Sequence, residues 1–215
     1  MNKKIIYAIL IIIIIASAIL TLTIGFKLDT AYNENTKIYV YIGKSFDNKD
    51  IKQIAEEVFE TNGVKVQKVE VYEDMACITL PKQSETDEKI EKLNSKINEK
   101  FGIENKKEDI EIKNEPKIEV YSLVKPYIWP VVISTAIILI YAAIMYRKLG
   151  VVKTLANYIL AILAPESTYV IALILAKLPF NTLTIPIGLI IYSVSIIAMT
   201  MVKQKQLNIY KLNQK

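Results

Sequence analysis

The sequence predicts an α-helical membrane protein with four transmembrane helices and one water-exposed α+β domain. Three observations carry that reading. Residues 27–124 hold 21 of the 22 carboxylates beside 16 lysines, a net of −5, and the rest of the chain is apolar or basic. Four apolar runs, at about 5–26, 127–146, 155–176 and 183–202, each approach the ~20 residues that cross a ~30 Å hydrocarbon core. Between the first two runs the apolar period switches between that of strands and that of helices. The resulting domains are an N-terminal transmembrane helix (1–26), an extracytoplasmic domain (27–124), a three-helix transmembrane region (125–202) and a basic cytoplasmic tail (203–215).

Within the first run, Ala16-Ser17-Ala18 also fits a signal-peptide cleavage pattern. Ile19, Leu20, Leu22, Ile24 and Phe26 carry the apolar stretch past that point, to a length that suits an uncleaved anchor. Orientation follows from the basic flanks. Lys3 and Lys4 precede the first span, Arg147, Lys148 and Lys153 separate the second from the third, and Lys203, Lys205, Lys211 and Lys215 follow the fourth; only Lys27, Lys125 and Lys177 flank the opposite ends. The positive-inside bias then places both termini in the cytoplasm and residues 27–124 outside.

The outer domain is expected to open with a strand over Lys37–Gly43, where Ile38, Val40 and Ile42 alternate with Tyr39 and Tyr41. A helix follows, capped by Asp47 with Asp50 three residues on; Ile51, Ile54, Ala55, Val58 and Phe59 form its apolar face and Asn62-Gly63 supplies the stop. Val64, Val66, Val69 and Val71 give a second strand whose phase slips at Gln67-Lys68, as a bulge would cause. A tight turn at Glu73-Asp74 returns the chain into a third strand, Met75–Leu80. A second helix is expected from Ser84, with Asp87 as capping partner, Ile90, Leu93, Ile97 and Phe101 facing the core and Gly102 ending it. Ile110, Ile112, Ile118 and Val120 read as a last strand interrupted at Pro116. The order β-α-β-β-α-β describes a ferredoxin-like sandwich, two helices on one face of a four-stranded antiparallel sheet.

In the remaining spans, Pro165 and Pro186 read as helix kinks. Trp129, with Tyr127 and Tyr121, fits an interfacial aromatic anchor. Cys77 reads as a small core residue.

With no histidine and only Cys77, the chain cannot assemble a Cys/His zinc cluster, a histidine-based triad or an internal disulfide. No nucleophile–base constellation and no glycine-rich phosphate loop is present, so neither catalysis nor a cofactor is expected. The basic pI is accounted for by membrane flanks facing anionic lipid, and no basic stripe with interleaved aromatics points to nucleic acid. The Glu and Lys residues of the outer domain read as a solvated face.

Several segments resemble the SecF family of the bacterial protein-export machinery. They are Tyr41-Ile42-Gly43-Lys44-Ser45-Phe46 with Asp50-Ile51 opening the first helix, Lys125-Pro126-Tyr127-Ile128, and Ile138-Leu139-Ile140-Tyr141-Ala142-Ala143-Ile144-Met145-Tyr146-Arg147. The layout of one span, a ferredoxin-like outer domain and then closely packed spans extends the likeness over nearly the whole chain. The resemblance implies a role in late protein export, acting with a SecD-like subunit and the Sec channel on the translocating polypeptide. The departures are specific. Where SecF proteins carry a glycine pair after Asp-Phe, this chain reads Asp29-Thr30-Ala31-Tyr32-Asn33, so the turn is expected to be rebuilt. The family has six spans, whereas four are legible here. Its Gly-Tyr-Ser followed by Asn-Asp corresponds to Ile191-Tyr192-Ser193-Val194-Ser195-Ile196, and the intramembrane aspartate falls on Ile196.

One ionisable residue remains inside the predicted spans. Glu166, directly after Pro165, lies near the position of a His-Asp pair in the family's third span. A charged carboxylate there costs on the order of 3 kcal/mol, and the Ile, Leu and Val residues around it contribute about −0.5 kcal/mol each. Glu166 is therefore expected to face a helix interface or wet cavity, protonated or paired, within an intramembrane polar site drawn from Asn157, Thr168, Tyr192, Ser193 and Ser195. Two roles fit: a proton-responsive group, or a hydrogen-bonded tie between spans at the Pro165 kink.

The alternative from another class is a membrane-anchored extracellular binding or sensing module whose spans only tether it.

Overall fold

The computed structural model describes residues 3–69, 72–82 and 87–214. The chain divides into two compact units, Met1–Lys27 with Val120–Lys215, and Leu28–Glu119. The elements run α1 (Lys3–Thr23), β1 (Asn35–Tyr41), α2 (Asn48–Phe59), β2 (Lys65–Val69), β3 (Tyr72–Pro81), α3 (Asp87–Phe101), β4 (Glu111–Glu115), α4 (Val120–Met145), α5 (Val151–Leu175) and α6 (Thr184–Leu212).

The α+β unit is a four-stranded sheet of order β2-β3-β1-β4, antiparallel at each junction. Alternation in β1 sends Thr36, Ile38 and Val40 to one face, opposite Leu80, Ile78 and Ala76 of β3, and Ile42, just past β1, joins the same core. Both helices cover that face, α2 through Ile51, Ala55, Val58 and Phe59 and α3 through Ile90, Leu93, Ile97 and Phe101, closing one core. Asp47 is the N-cap of α2, accepting from the Lys49 N–H at 2.9 Å. Asp50 lies in the first turn, but its carboxylate pairs with Lys100 of α3 at 3.0 Å. Asp29 organises the entry to the sheet: its Oδ1 accepts from the Ala31 N–H, its carbonyl accepts from Tyr32 and Asn33, and its largely buried carboxylate pairs with Lys65 at 2.6 Å. This is an Asx-type turn.

Several expectations are corrected. Helix α2 stops at Glu60, which takes a left-handed conformation at φ 53° and donates to the Glu56 carbonyl; Gly63, at φ 92°, serves the following turn. Glu73-Asp74 is not a turn but part of β3, which begins at Tyr72 opposite Val69. The pairing slips between Lys68 and Val69, one residue beyond the expected bulge, because the extra residues lie on β3; there the Asp74 carbonyl takes the N–H groups of Ile42 and Gly43. Ile118 and Val120 do not continue the last strand, since Val120 already begins α4; Ile112 is 38% exposed while Ile110 is buried. Cys77 is buried, as expected, but on the sheet face away from the helices, opposite Tyr39, and outside the helix-facing cluster. The expected cap at Ser84 and the strand residue Val71 lie outside the described residues.

Helices α1, α4, α5 and α6 are each long and apolar enough to cross a membrane. Helix α5 is central, packing against the other three. Tyr7 donates to Asn157 Oδ1 at 2.6 Å, and the Phe180 N–H donates to the Lys27 carbonyl beside the Phe26–Phe180 edge contact, so α1 and α5 run parallel. Helices α4 and α6 run the other way, which puts the C-terminal end of α1 and the N-terminal end of α4 at the same end of the bundle. At that end Trp129, Tyr121 and Tyr127 are 71%, 61% and 40% exposed, as an interfacial belt requires.

Two further corrections concern the bundle. Pro186 does not kink a helix interior: it is the third residue of α6, where a missing N–H costs no helical bond. Pro165, by contrast, lies inside α5, and Pro126 and Pro130 lie inside α4. The expected basic tail is a continuation of α6 to Leu212, and Lys203, its first residue, is only 2% exposed.

Candidate functional site

Helix α5 is apolar for most of its length, so its polar side chains have to face neighbouring helices or their own backbone. Glu166 faces α6. Its Oε2 would stand 3.6 Å from a Cβ added at Gly188, and the ring of Tyr169 closes the same spot at 3.8 Å. A Cβ at 188 would touch the carboxyl at ordinary van der Waals distance, so only a side chain larger than alanine would have to displace it. Oε1 is buried and has no hydrogen-bond partner, and among the described residues no Lys or Arg pairs with Glu166. One turn along, the Tyr169 hydroxyl donates to the Thr184 carbonyl at 3.0 Å, fixing the start of α6 against α5. Thr184 in turn accepts from the Asn181 N–H at 2.9 Å, which orders the connection into α6.

The other expected polar residues serve different contacts. Asn157 is bound by Tyr7 and belongs to the α1–α5 interface. Thr168 is exposed and donates to Ala164 of its own helix, and Ser193 does the same to Leu189. Ser195 is half-buried on α6. Tyr192 reaches α4, its hydroxyl lying 3.0 Å from Ser134 Oγ and 2.9 Å from Thr135 Oγ1. Both of those hydroxyls already donate to the Val131 carbonyl, so Tyr192 is the donor in a forked bond. The arrangement brings Glu166 together with Gly188, Tyr169 and the backbone of Tyr192, so the expected pairing of Glu166 with Tyr192 holds, and it leaves Asn157 and Thr168 facing elsewhere.

Sequence reading missed the hydroxyl bolts that join these helices. Tyr158 lies 2.9 Å from Thr200 Oγ1; because Thr200 donates to the Ile196 carbonyl, Tyr158 is again the donor. Tyrosines 7, 158, 169 and 192 therefore tie α1 to α5, α5 to α6 twice, and α6 to α4. The signal was present, since a phenol inside an apolar run needs a hydrogen-bond partner. Also missed was Lys203, which packs toward the end of α5 where Thr154 is fully buried with no partner for its Oγ1.

Chemically, the site can hold a proton on Glu166 or accept a hydrogen bond there, and it can transmit a shift of α6 to α5 and α4 through the tyrosines. Among the described residues no His, Cys, Asp and Glu grouping could hold a metal ion. No protein-family model matches the chain, and no curated protein matches it.

Proposed function

We propose that this chain is a short SecF-like accessory subunit of the Sec protein translocase, assisting late export together with a SecD-like partner. The observation that carries the reading is one of topology. A β-α-β-β-α-β unit with strand order β2-β3-β1-β4 and both helices on one sheet face stands between the first and second of four spanning helices. This is the ferredoxin-like arrangement, in the place where the SecF pattern has it. Because such a fold hosts many activities, the local likeness at Tyr41–Phe46 adds weight. There Ile42 and Phe46 enter the core, and Gly43, at φ 69°, makes the turn between them with its Cα against the Tyr41 ring.

In this reading both termini are cytoplasmic and residues 27–124 are extracytoplasmic, where the α+β unit meets the emerging polypeptide. The chain carries out no chemical step. Glu166 acts as a tie at the α5–α6 contact, and coupling to the proton gradient rests on the partner. A gently solubilised, tagged chain is expected to bring down a SecD-like subunit and channel subunits, and its loss to slow precursor processing. Recovery of neither partner nor secretion defect would favour a membrane-anchored sensing module instead.

A further inference from the structure

The bundle end that carries the α4–α5 connection and the last turns of α6 collects Arg147, Lys148, Lys153, Lys203 and Lys205. The bundle unit contains one carboxylate, Glu166, and it lies 13 residues from Lys153 along α5, about 20 Å at the helical rise. Among the described residues of the bundle, no carboxylate side chain therefore neutralises this cluster. Lys203 shows the imbalance most clearly. It is 2% exposed, and no carboxylate among the described residues pairs with it. The antiparallel register that sets Tyr158 against Thr200 places Thr154 opposite Lys203, and there the fully buried Thr154 hydroxyl is also without a partner.

Beside this cluster a groove of about 530 Å³ runs between the ends of α4 and α6. Tyr141, Met201 and Ile209 give it an apolar wall, while Gln204, Lys205 and Asn208 supply donors at one side. Helix α6 has 29 residues, about 44 Å, against the ~30 Å of a hydrocarbon core. Its final turns therefore stand at the level of lipid headgroups. An acyl chain along the apolar wall and a phosphate at Lys205 would match both halves of the groove.

We infer that this groove binds an anionic phospholipid, held by Lys205 with Gln204 and Asn208. The surface does not depend on the export reading, since any multi-span role leaves it facing the headgroup layer.

The test is native mass spectrometry of the full chain released from vesicles of phosphatidylcholine mixed with phosphatidylglycerol. Wild type is expected to retain phosphatidylglycerol in preference to phosphatidylcholine. Lys205→Gln, at an exposed position, is expected to lower that preference about fivefold, whereas Lys125→Gln, the same charge loss at the other bundle end, leaves it unchanged. No headgroup preference in wild type, an equal loss in Lys125→Gln, or displacement of the lipid by inorganic phosphate would each overturn the assignment.

Discussion

The carboxyl of Glu166 on α5 faces Gly188 on α6, with 3.6 Å between Oε2 and the place a Cβ would take. That spacing is ordinary van der Waals contact. Gly188→Ala is accordingly expected to shift the melting midpoint little, while Gly188→Leu, which has to displace the carboxyl or Tyr169, is expected to cost about 1–3 kcal/mol. Thermal unfolding of the solubilised chain checks both.

Glu166→Gln keeps the shape and polarity of the side chain. If Glu166 is a tie between spans, the variant supports export at the wild-type level, and Glu166→Leu loosens the assembly in co-purification. If Glu166 carries protons, the Gln variant assembles normally but fails in a precursor-processing assay.

Tyr192→Phe removes one forked donor while Ser134 and Thr135 keep their bonds to the Val131 carbonyl. No buried hydroxyl proton is stranded, so the expected cost is small, about 0.6 kcal/mol and below ~2 kcal/mol. A double-mutant cycle with Thr135→Val isolates the pair.

In the α+β unit, Lys37 of β1 donates to the Glu115 carboxylate of β4 at 2.8 Å, and that hydrogen bond raises the lysine pKa above its ordinary value. A raised lysine pKa stabilises the fold fully below the unfolded value, about 10.4, and that contribution is lost as pH rises through the folded value. Hydrogen exchange at the β1–β4 junction is expected to quicken on the alkaline side beyond its intrinsic pH dependence, and Lys37→Met to abolish the extra step.

How much of this was legible follows the physics of each element. The faces of β1, α2 and α3 were read correctly because burial imposes a period on Ile38, Val40 and Ile42, on Ile51, Ala55 and Val58, and on Ile90, Leu93 and Ile97. Asp47 was readable as a cap because its chemistry is local. Glu60 was not, because its left-handed backbone carries no glycine signal. The start of β3 at Tyr72 depends on pairing with Val69, a tertiary choice that hydrophobic alternation does not encode. Ile118 and Val120 continue a strand-like alternation that α4 overrides, because Val120 begins its continuous helical ladder. At the candidate site, Glu166 stood out as the sole carboxylate in the spans. Its neighbour Gly188 did not, since a glycine in an apolar run reads the same whether it faces lipid or a carboxyl. Lys203 looked like ordinary flanking charge, and its burial follows only from the packing of α6 on α5.

The placement of the α+β unit across the membrane is open to direct measurement. Asn48 is exposed at the start of α2, and the lone native thiol, Cys77, is buried, so a cysteine introduced at Asn48 stands against a low background. With a membrane-impermeant thiol reagent, Asn48→Cys is expected to label in intact cells and Gln206→Cys only after lysis. The opposite pattern, protection at 48 and ready labelling at 206, would invert the topology and contradict the export role.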